Sequence, residues 1–267
     1  MFYQDNQPFK VEGFSSVSGK VSVQNLSTHQ YAEINCWDLP EIQQVLMNNE
    51  LLLNIQGVGQ ASNQIPLSDI PVWKHILPEL ENKSNDEIQK YLSELMELDS
   101  IHLEALPESI GQLSNLQWLE LSSCRFEMLP KNIGLLSRLQ ELNLSGCNRL
   151  TTLPKSIGRL INLQELNLSG CDSLTTLPKS IGQLSNLQEL NLSRCDRLTT
   201  LPESIGLLQN LQELNLSWCT NLTTLPESIG QLSNLQELNL SGCYKLTRLP
   251  ESIGRLSRLK ILRYSLT

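Results

Sequence analysis

The chain has 267 residues, a formal net charge of −8, 40% hydrophobic residues and 18% charged residues. This composition excludes a disordered chain, and the acidic balance argues against a general nucleic-acid binder, which needs a basic surface. No uncharged apolar run approaches the roughly 20 residues that span a bilayer, and residues 1–10 lack a secretory pattern. We therefore expect a cytoplasmic protein that binds neither nucleic acid nor a membrane.

The first 66 residues predict a small region of uncertain α+β structure. Val21 and Val23 alternate with polar residues, a pattern that is typical of strands. Residues 31–55 show a mixed pattern, and the glycines and proline of residues 57–66 predict a loop or linker.

Four residues in the first third of the chain permit a catalytic hypothesis. Cys36 supplies a thiol nucleophile and Asp38 a carboxylate, and the base would be His29 or His75. No signature of a thiol-enzyme family surrounds Cys36, which lies among apolar residues as an ordinary core thiol does. We therefore expect a protein that is not an enzyme, with no catalytic residue, no cofactor and no metal.

A second hypothesis for this region concerns Leu39-Pro40-Glu41. Together with Ile42 and Leu46, this segment resembles the start of an F-box, a motif of ubiquitin-ligase adaptors. The rest of that motif does not match. An adaptor that recruits an enzyme through residues 1–66 is therefore the alternative function.

Residues 67–93 predict a helical cap. Asp69 begins a short helix that contains Trp73, and Ser84 with Glu87 forms a capping box that begins a second helix. Apolar residues follow Glu87 at helical spacing. We expect these helices to cover the open end of the repeats that follow, because terminal repeats need a cap.

A Leu-Pro pair recurs through residues 94–267, first after 23 residues and then every 24. The pairs begin at Leu106, Leu129, Leu153, Leu177, Leu201, Leu225 and Leu249. Each pair is followed by Ser-Ile-Gly or Asn-Ile-Gly and then by a segment such as Leu163–Cys171, whose spacing L-x-x-L-x-L-x-x-C matches a leucine-rich repeat. Residues 94–267 therefore predict a solenoid.

Each repeat predicts one strand and one short convex segment. Leucines alternate with polar residues in Leu166-Asn167-Leu168, the pattern of a strand with one buried face. Residues 180–184, after Pro178, predict a 3₁₀ turn or short helix on the opposite side. Stacked copies give an α/β horseshoe whose concave sheet has about eight parallel strands. The strand centres are expected at Met96, Leu119, Leu142, Leu166, Leu190, Leu214, Leu238 and Leu262.

Six of the seven cysteines occupy one position of the repeat. They are Cys124, Cys147, Cys171, Cys195, Cys219 and Cys243. No two lie closer than 23 residues, and no histidine recurs beside them, which argues against a metal site. We expect a ladder of buried free thiols whose S–H groups face backbone carbonyls.

The repeat frame LxxLxLSxCxxLTxLPxSIGxLxxL resembles the leucine-rich repeats of plant intracellular immune receptors and of effectors from pathogenic bacteria. The resemblance covers about residues 92–267 and implies a horseshoe that binds a partner protein on its concave face. The sequence lacks the nucleotide-binding motif G-x-x-x-x-G-K-[ST] that plant receptors carry. The expectation is therefore a bacterial effector that acts in the host cytosol.

Polar residues between the strand leucines are expected to face solvent on the concave side. Five carboxylates about 4.8 Å apart form a column, called here the glutamate column, beside a column of amides. Its members are Glu141, Glu165, Glu189, Glu213 and Glu237. The hypothesis is that this column docks a basic protein segment, and the alternative is a solvated surface inherited from duplication.

Departures from the repeat consensus mark two more candidate patches for partner binding. Arg194 and Trp218 replace the usual glycine in adjacent repeats, and Arg197 and Tyr244 follow nearby cysteines. Such residues are enriched in binding hot spots, and Arg194 is one repeat from Trp218, within reach of a cation–π contact. Neutral drift is the alternative. The second patch consists of Trp118, Glu120 and Arg125.

The last predicted strand, residues 259–264, has no Leu-Pro turn after it. Lys260 and Arg263 place charges on this edge, which discourages edge-to-edge pairing of sheets. We expect a monomer, with a dimer through this edge as the alternative. The predicted function is a non-enzymatic module that binds a partner protein.

Overall fold

The structure, a computed structural model, describes residues 64–100 and 102–264 in full, together with the backbone of four strands in residues 2–35. The chain forms two compact units, residues 1–63 and 64–267. The first contains an antiparallel sheet and the second a parallel one. Among the described residues, no helix has the length and apolar character needed to cross a bilayer.

The sheet of the first unit has the strand order β1–β2–β3–β4. These strands are β1 (Phe2–Gln4), β2 (Gln7–Ser15), β3 (Lys20–Asn25) and β4 (Tyr31–Asn35). The strand predicted around Val21 and Val23 is confirmed by β3. Most residues of the catalytic and F-box hypotheses lie outside the described residues, namely His29, Cys36, Asp38 and residues 39–46.

Two short helices open the second unit, α1 (Ile70–Ile76) and α2 (Asn85–Glu94). The capping box is confirmed, because Ser84 Oγ accepts a hydrogen bond from the Glu87 N–H and the Glu87 carboxylate accepts one from the Ser84 N–H. Trp73 is fully buried and donates from Nε1 to Ser109 Oγ at 3.0 Å. This bond ties α1 to the first convex segment, so the helices cap the solenoid.

Eight parallel strands form the sheet of the second unit, and each pairs with its neighbours in sequence order. They are β5 (Glu97–Asp99), β6 (Trp118–Glu120), β7 (Glu141–Asn143), β8 (Glu165–Asn167), β9 (Glu189–Asn191), β10 (Glu213–Asn215), β11 (Glu237–Leu240) and β12 (Ile261–Tyr264). Equivalent leucines pair in register, for example Leu166 with Leu190, and both are 1% exposed. The predicted horseshoe with eight parallel strands is confirmed.

The first strand of this sheet differs from the prediction by two residues. Its centre is Leu98, which pairs with Leu119, whereas Met96 is 46% exposed. The prediction counted back from the Leu-Pro pair at Leu106 by the distance found in the next repeat. The connection between strand and Leu-Pro pair is shorter in the first repeat, so this count placed the strand too early in the chain. Ile101, expected at the cysteine position, lies outside the described residues.

A five-residue 3₁₀ helix follows each Leu-Pro pair and forms the convex side. These helices span Glu108–Gln112, Lys131–Leu135, Lys155–Arg159, Lys179–Gln183, Glu203–Leu207, Glu227–Gln231 and Glu251–Arg255. The residue before each one is the proline, which lies in extended backbone and cannot continue a preceding helix. The predicted 3₁₀ turn is confirmed.

The glycine of Ser-Ile-Gly allows adjacent 3₁₀ helices to approach each other closely. A Cβ atom built on Gly182 would lie 2.3 Å from the carbonyl oxygen of Ser204 in the next repeat. The same approach recurs at Gly111 and Gly230, whereas nothing lies within 4 Å of a Cβ atom on Gly254. Stacking of one repeat on the next therefore requires this glycine.

The six repeat cysteines are buried and free. From Cys147 onward, each Sγ donates to the carbonyl oxygen of a leucine just after the strand of the preceding repeat, at 3.0–3.2 Å. Burial raises the pKa of Cys171 and of Cys219 to about 12, so both thiols stay protonated at neutral pH. The predicted ladder of buried free thiols is confirmed.

Candidate functional site

The glutamate column lies on the face of the parallel sheet opposite the core. Its five members occupy the same register position in β7 to β11, so the strand spacing of about 4.8 Å separates them. The leucine after each glutamate is at most 1% exposed. Because successive side chains of a strand point to opposite faces, the glutamates point to solvent, and Glu141, Glu165, Glu189 and Glu213 are all exposed.

Ionisation is disfavoured in the middle of the glutamate column. Desolvation and then the charges of neighbouring glutamates raise the pKa of Glu165 above its usual value. The same two causes raise the pKa of Glu189. Within the described residues the one ion pair joins Arg263 to Glu237 at 2.6 Å, so no cation there neutralises the centre of the column.

The asparagine column beside the glutamates has a structural role that the sequence analysis did not assign. Each Oδ1 accepts a hydrogen bond from the backbone N–H two residues later, at 2.9–3.1 Å. The acceptors belong to Asn143, Asn167, Asn191, Asn215 and Asn239. This local bond fixes the turn that ends each strand. The recurring Asn-Leu-Ser spacing is its signal in the sequence.

Trp118 and Glu120 extend the candidate surface onto β6. Trp118 pairs in register with Glu141 and donates from Nε1 to the Glu141 carboxylate at 3.0 Å. Glu120 Oε2 accepts a hydrogen bond from Asn143 Nδ2 at 2.6 Å. The structure therefore joins Trp118 and Glu120 to the glutamate and asparagine columns, whereas Arg125 lies exposed in the turn beyond the strand.

A groove on one flank of the sheet was not found from the sequence. It encloses about 200 Å³ and is lined by amides and one guanidinium, namely Gln117, Arg138, Gln140, Asn162, Gln164 and Asn186. The glutamines directly precede the strand positions of Trp118, Glu141 and Glu165. The recurrence of a glutamine immediately before each of these strands was the signal in the sequence that could have indicated the groove.

Arg194 and Trp218 lie in the turn after the strand, where the backbone is left-handed. Each repeat from the first to the seventh places one residue there, with φ between 56° and 76°. These residues are His102, Ser123, Gly146, Gly170, Arg194, Trp218 and Gly242. A left-handed residue that carries a Cβ atom costs roughly 1–2 kcal/mol. Arg194 and Trp218 therefore lower the stability of the fold at the positions they occupy.

Trp218 and Tyr244 form an aromatic pair beside this turn. Their ring centroids lie 6.0 Å apart with the planes at 79°, and the residues are 48% and 51% exposed. The indole of Trp218 covers Gly242, because a Cβ atom built there would come within 2.8 Å of Trp218 Cδ2. We call Trp218, Gly242 and Tyr244 the aromatic corner.

The cation–π contact that the sequence permits between Arg194 and Trp218 is not formed among the described residues. The indole leans toward the following repeat, whereas Arg194 belongs to the preceding one. Arg194 acts instead on Asp172, since it opposes the rise in the pKa of that carboxyl that burial causes. Both Arg194 and Arg197 are exposed.

His75, the one described member of the catalytic hypothesis, is exposed near the end of α1. The described residues contain no group of three or more histidine, cysteine or acidic side chains arranged to hold a metal ion. The groups that the described surface offers are carboxylates, amides, aromatic rings and exposed cations, which suit recognition of another molecule.

Family models match the repeat region of the chain. One described as "Leucine-rich repeat region" matches residues 78–176, one described as "Leucine Rich Repeat" residues 186–208 and one described as "Leucine Rich repeats (2 copies)" residues 209–262. This chain is a leucine-rich-repeat protein. A comparison of its sequence with curated proteins gives no significant match.

Solved structures of other leucine-rich-repeat proteins resemble this one. A leucine-rich-repeat protein of Leptospira interrogans is 32% identical, with a TM-score of 0.57 over 83% of this chain and 56% of that one. The leucine-rich repeat domain of the type III effector XopL is 25% identical, with a TM-score of 0.52 over 88% of this chain and 97% of that one. The Arabidopsis receptor kinase HAESA, solved with a peptide hormone and a co-receptor, is 25% identical over 65% of this chain and 35% of that one, with a TM-score of 0.48.

The leucine-rich-repeat protein spans little more than half the length of its Leptospira relative. The expected resemblance to leucine-rich repeats of a bacterial effector is confirmed by the XopL domain. Leucine-rich-repeat folds are protein–protein interaction modules and are generally not enzymes.

Proposed function

We propose that the leucine-rich-repeat protein binds a basic segment of a partner protein along the glutamate column. The observation that carries this proposal is the register of five glutamates on one exposed face. Their mutual repulsion contributes to the raised pKa of Glu165 and Glu189. Lysine or arginine side chains of a partner would relieve that repulsion, so binding is favoured by charge.

Trp118 supplies an aromatic anchor at one end of the glutamate column. Its indole is held against Glu141 by the hydrogen bond from Nε1, so its orientation is fixed before a partner arrives. Tryptophan is enriched among residues that dominate binding energy. The proposed site therefore combines one rigid aromatic group with a row of charges that sets the direction of the bound segment.

Charge reversal at Glu165 and Glu189 together tests the proposal. Wild-type protein, the double variant Glu165→Lys/Glu189→Lys and the control Glu127→Lys/Glu251→Lys, whose exposed carboxylates lie off the sheet face, would each capture partners from a eukaryotic cell lysate at several salt concentrations. We expect the first double variant alone to lose basic partners and their salt dependence. Equal capture by both variants would refute the proposal.

The cellular setting that we propose is the cytosol of a host cell, with the protein acting as a bacterial effector. Its support is the similarity to a type III effector domain over 88% of this chain. A fusion to a reporter that is active only in host cytosol would be expressed in a bacterium with a type III secretion system. Signal that depends on that system is expected, and its absence would contradict the effector role.

The alternative function is an adaptor that recruits an enzyme through the N-terminal region. The supporting observation is that residues 1–63 form a compact unit with a sheet of their own. Pull-downs with the full chain and with residues 64–267 separate the two functions. Loss of a co-purified enzyme from the shorter protein alone favours the adaptor, and identical capture excludes it.

A further inference from the structure

Trp218 occupies a backbone position that disfavours it. Its φ is 63°, in the left-handed region where the equivalent positions 146, 170 and 242 carry glycine. Bulky residues with positive φ are genuine outliers, and such strain persists where the surrounding structure or a function requires it. Glycine would serve the turn without this strain, so the turn itself does not explain the tryptophan.

Burial within the repeat protein does not explain the tryptophan either. Trp218 is 48% exposed and Tyr244 is 51% exposed. The two rings pack edge to face, with centroids 6.0 Å apart and planes at 79°. The indole lies directly over Gly242, since a Cβ atom there would meet it at 2.8 Å. The exposed faces of both rings therefore form one apolar patch at the surface.

The surroundings of the aromatic corner are basic in an otherwise acidic chain. Residues 170–173, 194–197, 218–221 and 244–248 contain four cations and two carboxylates, Asp172 and Asp196, while the whole chain has a net charge of −8. The cations are Arg194, Arg197, Lys245 and Arg248, and all four are exposed. None of them takes part in the ion pair found among the described residues.

We propose that the aromatic corner binds an acidic peptide segment that carries an aromatic or aliphatic side chain. The apolar side chain packs against the exposed faces of Trp218 and Tyr244, and carboxylates of the segment meet Arg194, Arg197 and Lys245. A single-stranded nucleic acid fits less well, because successive bases stack on parallel platforms and these rings are nearly perpendicular. This site goes beyond the proposed function, since it lies off the glutamate column and takes a ligand of opposite charge.

Selection from a random library tests this proposal with a defined probe. Twelve-residue peptides displayed on phage would be selected on the full 267-residue protein, and enriched peptides would be synthesised and measured by fluorescence anisotropy. We expect acidic peptides with at least one apolar residue among them. Trp218→Ala and Tyr244→Ala should each weaken their binding at least tenfold, whereas Trp118→Ala, a matched aromatic on the glutamate column, should leave it unchanged.

The double variant Arg197→Gln/Lys245→Gln extends the test to two exposed side chains. It should weaken the acidic peptides at least tenfold, and Glu165→Lys/Glu189→Lys should not. The proposal is overturned if no acidic peptide is enriched, if these peptides bind the Trp218, Tyr244 and charge variants as tightly as the wild type, or if a twelve-residue oligothymidylate displaces them. Failure here leaves the glutamate column untouched, because that site is tested by its own variant.

Discussion

At the left-handed position of the repeat, some repeats carry a residue type that the backbone conformation disfavours. Arg194 is exposed and has φ of 59°, whereas Gly170 occupies the same position one repeat earlier with φ of 69°. The nearest atoms to a Cβ built on Gly170 lie at 3.5 Å, an ordinary contact. These two positions therefore isolate the cost of the backbone conformation from the cost of crowding.

Arg194→Gly should raise the free energy of unfolding by about 1 kcal/mol, since it removes left-handed strain from an exposed residue. Gly170→Ala should lower it by about 1–2 kcal/mol, because the new Cβ has room but not the right backbone angle. Urea unfolding of both variants and the wild type measures the two changes. Changes of the same sign would contradict the assignment of strain.

The Ser-Ile-Gly glycines provide a second matched pair at the residue scale. Gly182→Ala should destabilise the protein by more than about 2 kcal/mol, because its Cβ would lie 2.3 Å from a backbone oxygen of the next repeat. Gly254→Ala has open space around the new methyl and should be neutral or stabilise by up to about 1 kcal/mol. Thermal unfolding of the two variants compares them, and equal losses would show that stacking does not require this glycine.

At the scale of one repeat, leucine spacing predicts the strands well because a shift of one residue would turn every leucine out of the core. The exception is β5, where a shortened connection moved the centre from Met96 to Leu98. A template aligned on Leu-Pro cannot detect a deletion that lies between the strand and that pair. The existence of the strand was therefore predictable, and its register was not.

The candidate site was predictable to different degrees. The in-register glutamates follow from the repeat period alone, so their position on the sheet could be read from the sequence. The left-handed turn at Arg194 and Trp218 could not, because Gly146, Gly170 and Gly242 signal a flexible position without revealing the sign of φ. The direction of the Trp218 side chain depends on Gly242 in the next repeat, a tertiary contact that no local pattern encodes.

The buried cysteine thiols make the protein less stable at alkaline pH. The pKa of Cys171 and of Cys219 is raised from 9.0 to about 12 in the folded protein, so the unfolded chain releases these protons first. The free energy of unfolding contributed by these thiols is thus complete below pH about 9 and is lost as the pH rises toward 12. Their S–H groups are also protected from reagents that attack thiolates.

The variant Cys171→Ala/Cys219→Ala should therefore show a shallower fall in stability between pH 9 and pH 12 than the wild type. Tyrosine and lysine side chains titrate in the same range, and comparison of the two proteins subtracts their effect. Urea unfolding at a series of pH values gives the slopes. Parallel slopes would mean that these thiols do not contribute to the pH dependence.

At the largest scale, the described part of the solenoid carries two surfaces of opposite charge. The glutamate column is acidic, and the region around the aromatic corner is basic. With both proposals, one protein joins a basic segment to an acidic one. Both attractions weaken with salt, because exposed charges are screened over about 10 Å at 0.1 M ionic strength.

The proposed binding at the glutamate column should begin to weaken at a higher pH than it would if the carboxylates had their usual pKa. The pKa of Glu165 and of Glu189 is raised, so these groups begin to take up protons at a higher pH and then lose their attraction for cations. Affinity for a captured basic partner, measured between pH 7 and pH 4, should fall as the pH falls. Glu165→Gln/Glu189→Gln should bind more weakly at pH 7 and show a smaller pH dependence, and an unchanged profile would contradict the assignment.

Repeats in the middle of the sheet meet their neighbours through the same contacts at each step. The backbone N–H of the left-handed residue donates a hydrogen bond to a serine carbonyl oxygen of the next repeat, at 2.7 Å for Gly146 and 2.8 Å for Gly170 and Arg194. The hydrogen bonds from the cysteine thiols recur with the same regularity. Excision of one 24-residue period such as 164–187 would therefore rejoin equivalent surfaces and shorten the row of carboxylates by one. With the proposed binding of a basic segment, the number of repeats would therefore set how long a cationic stretch the glutamate column accommodates.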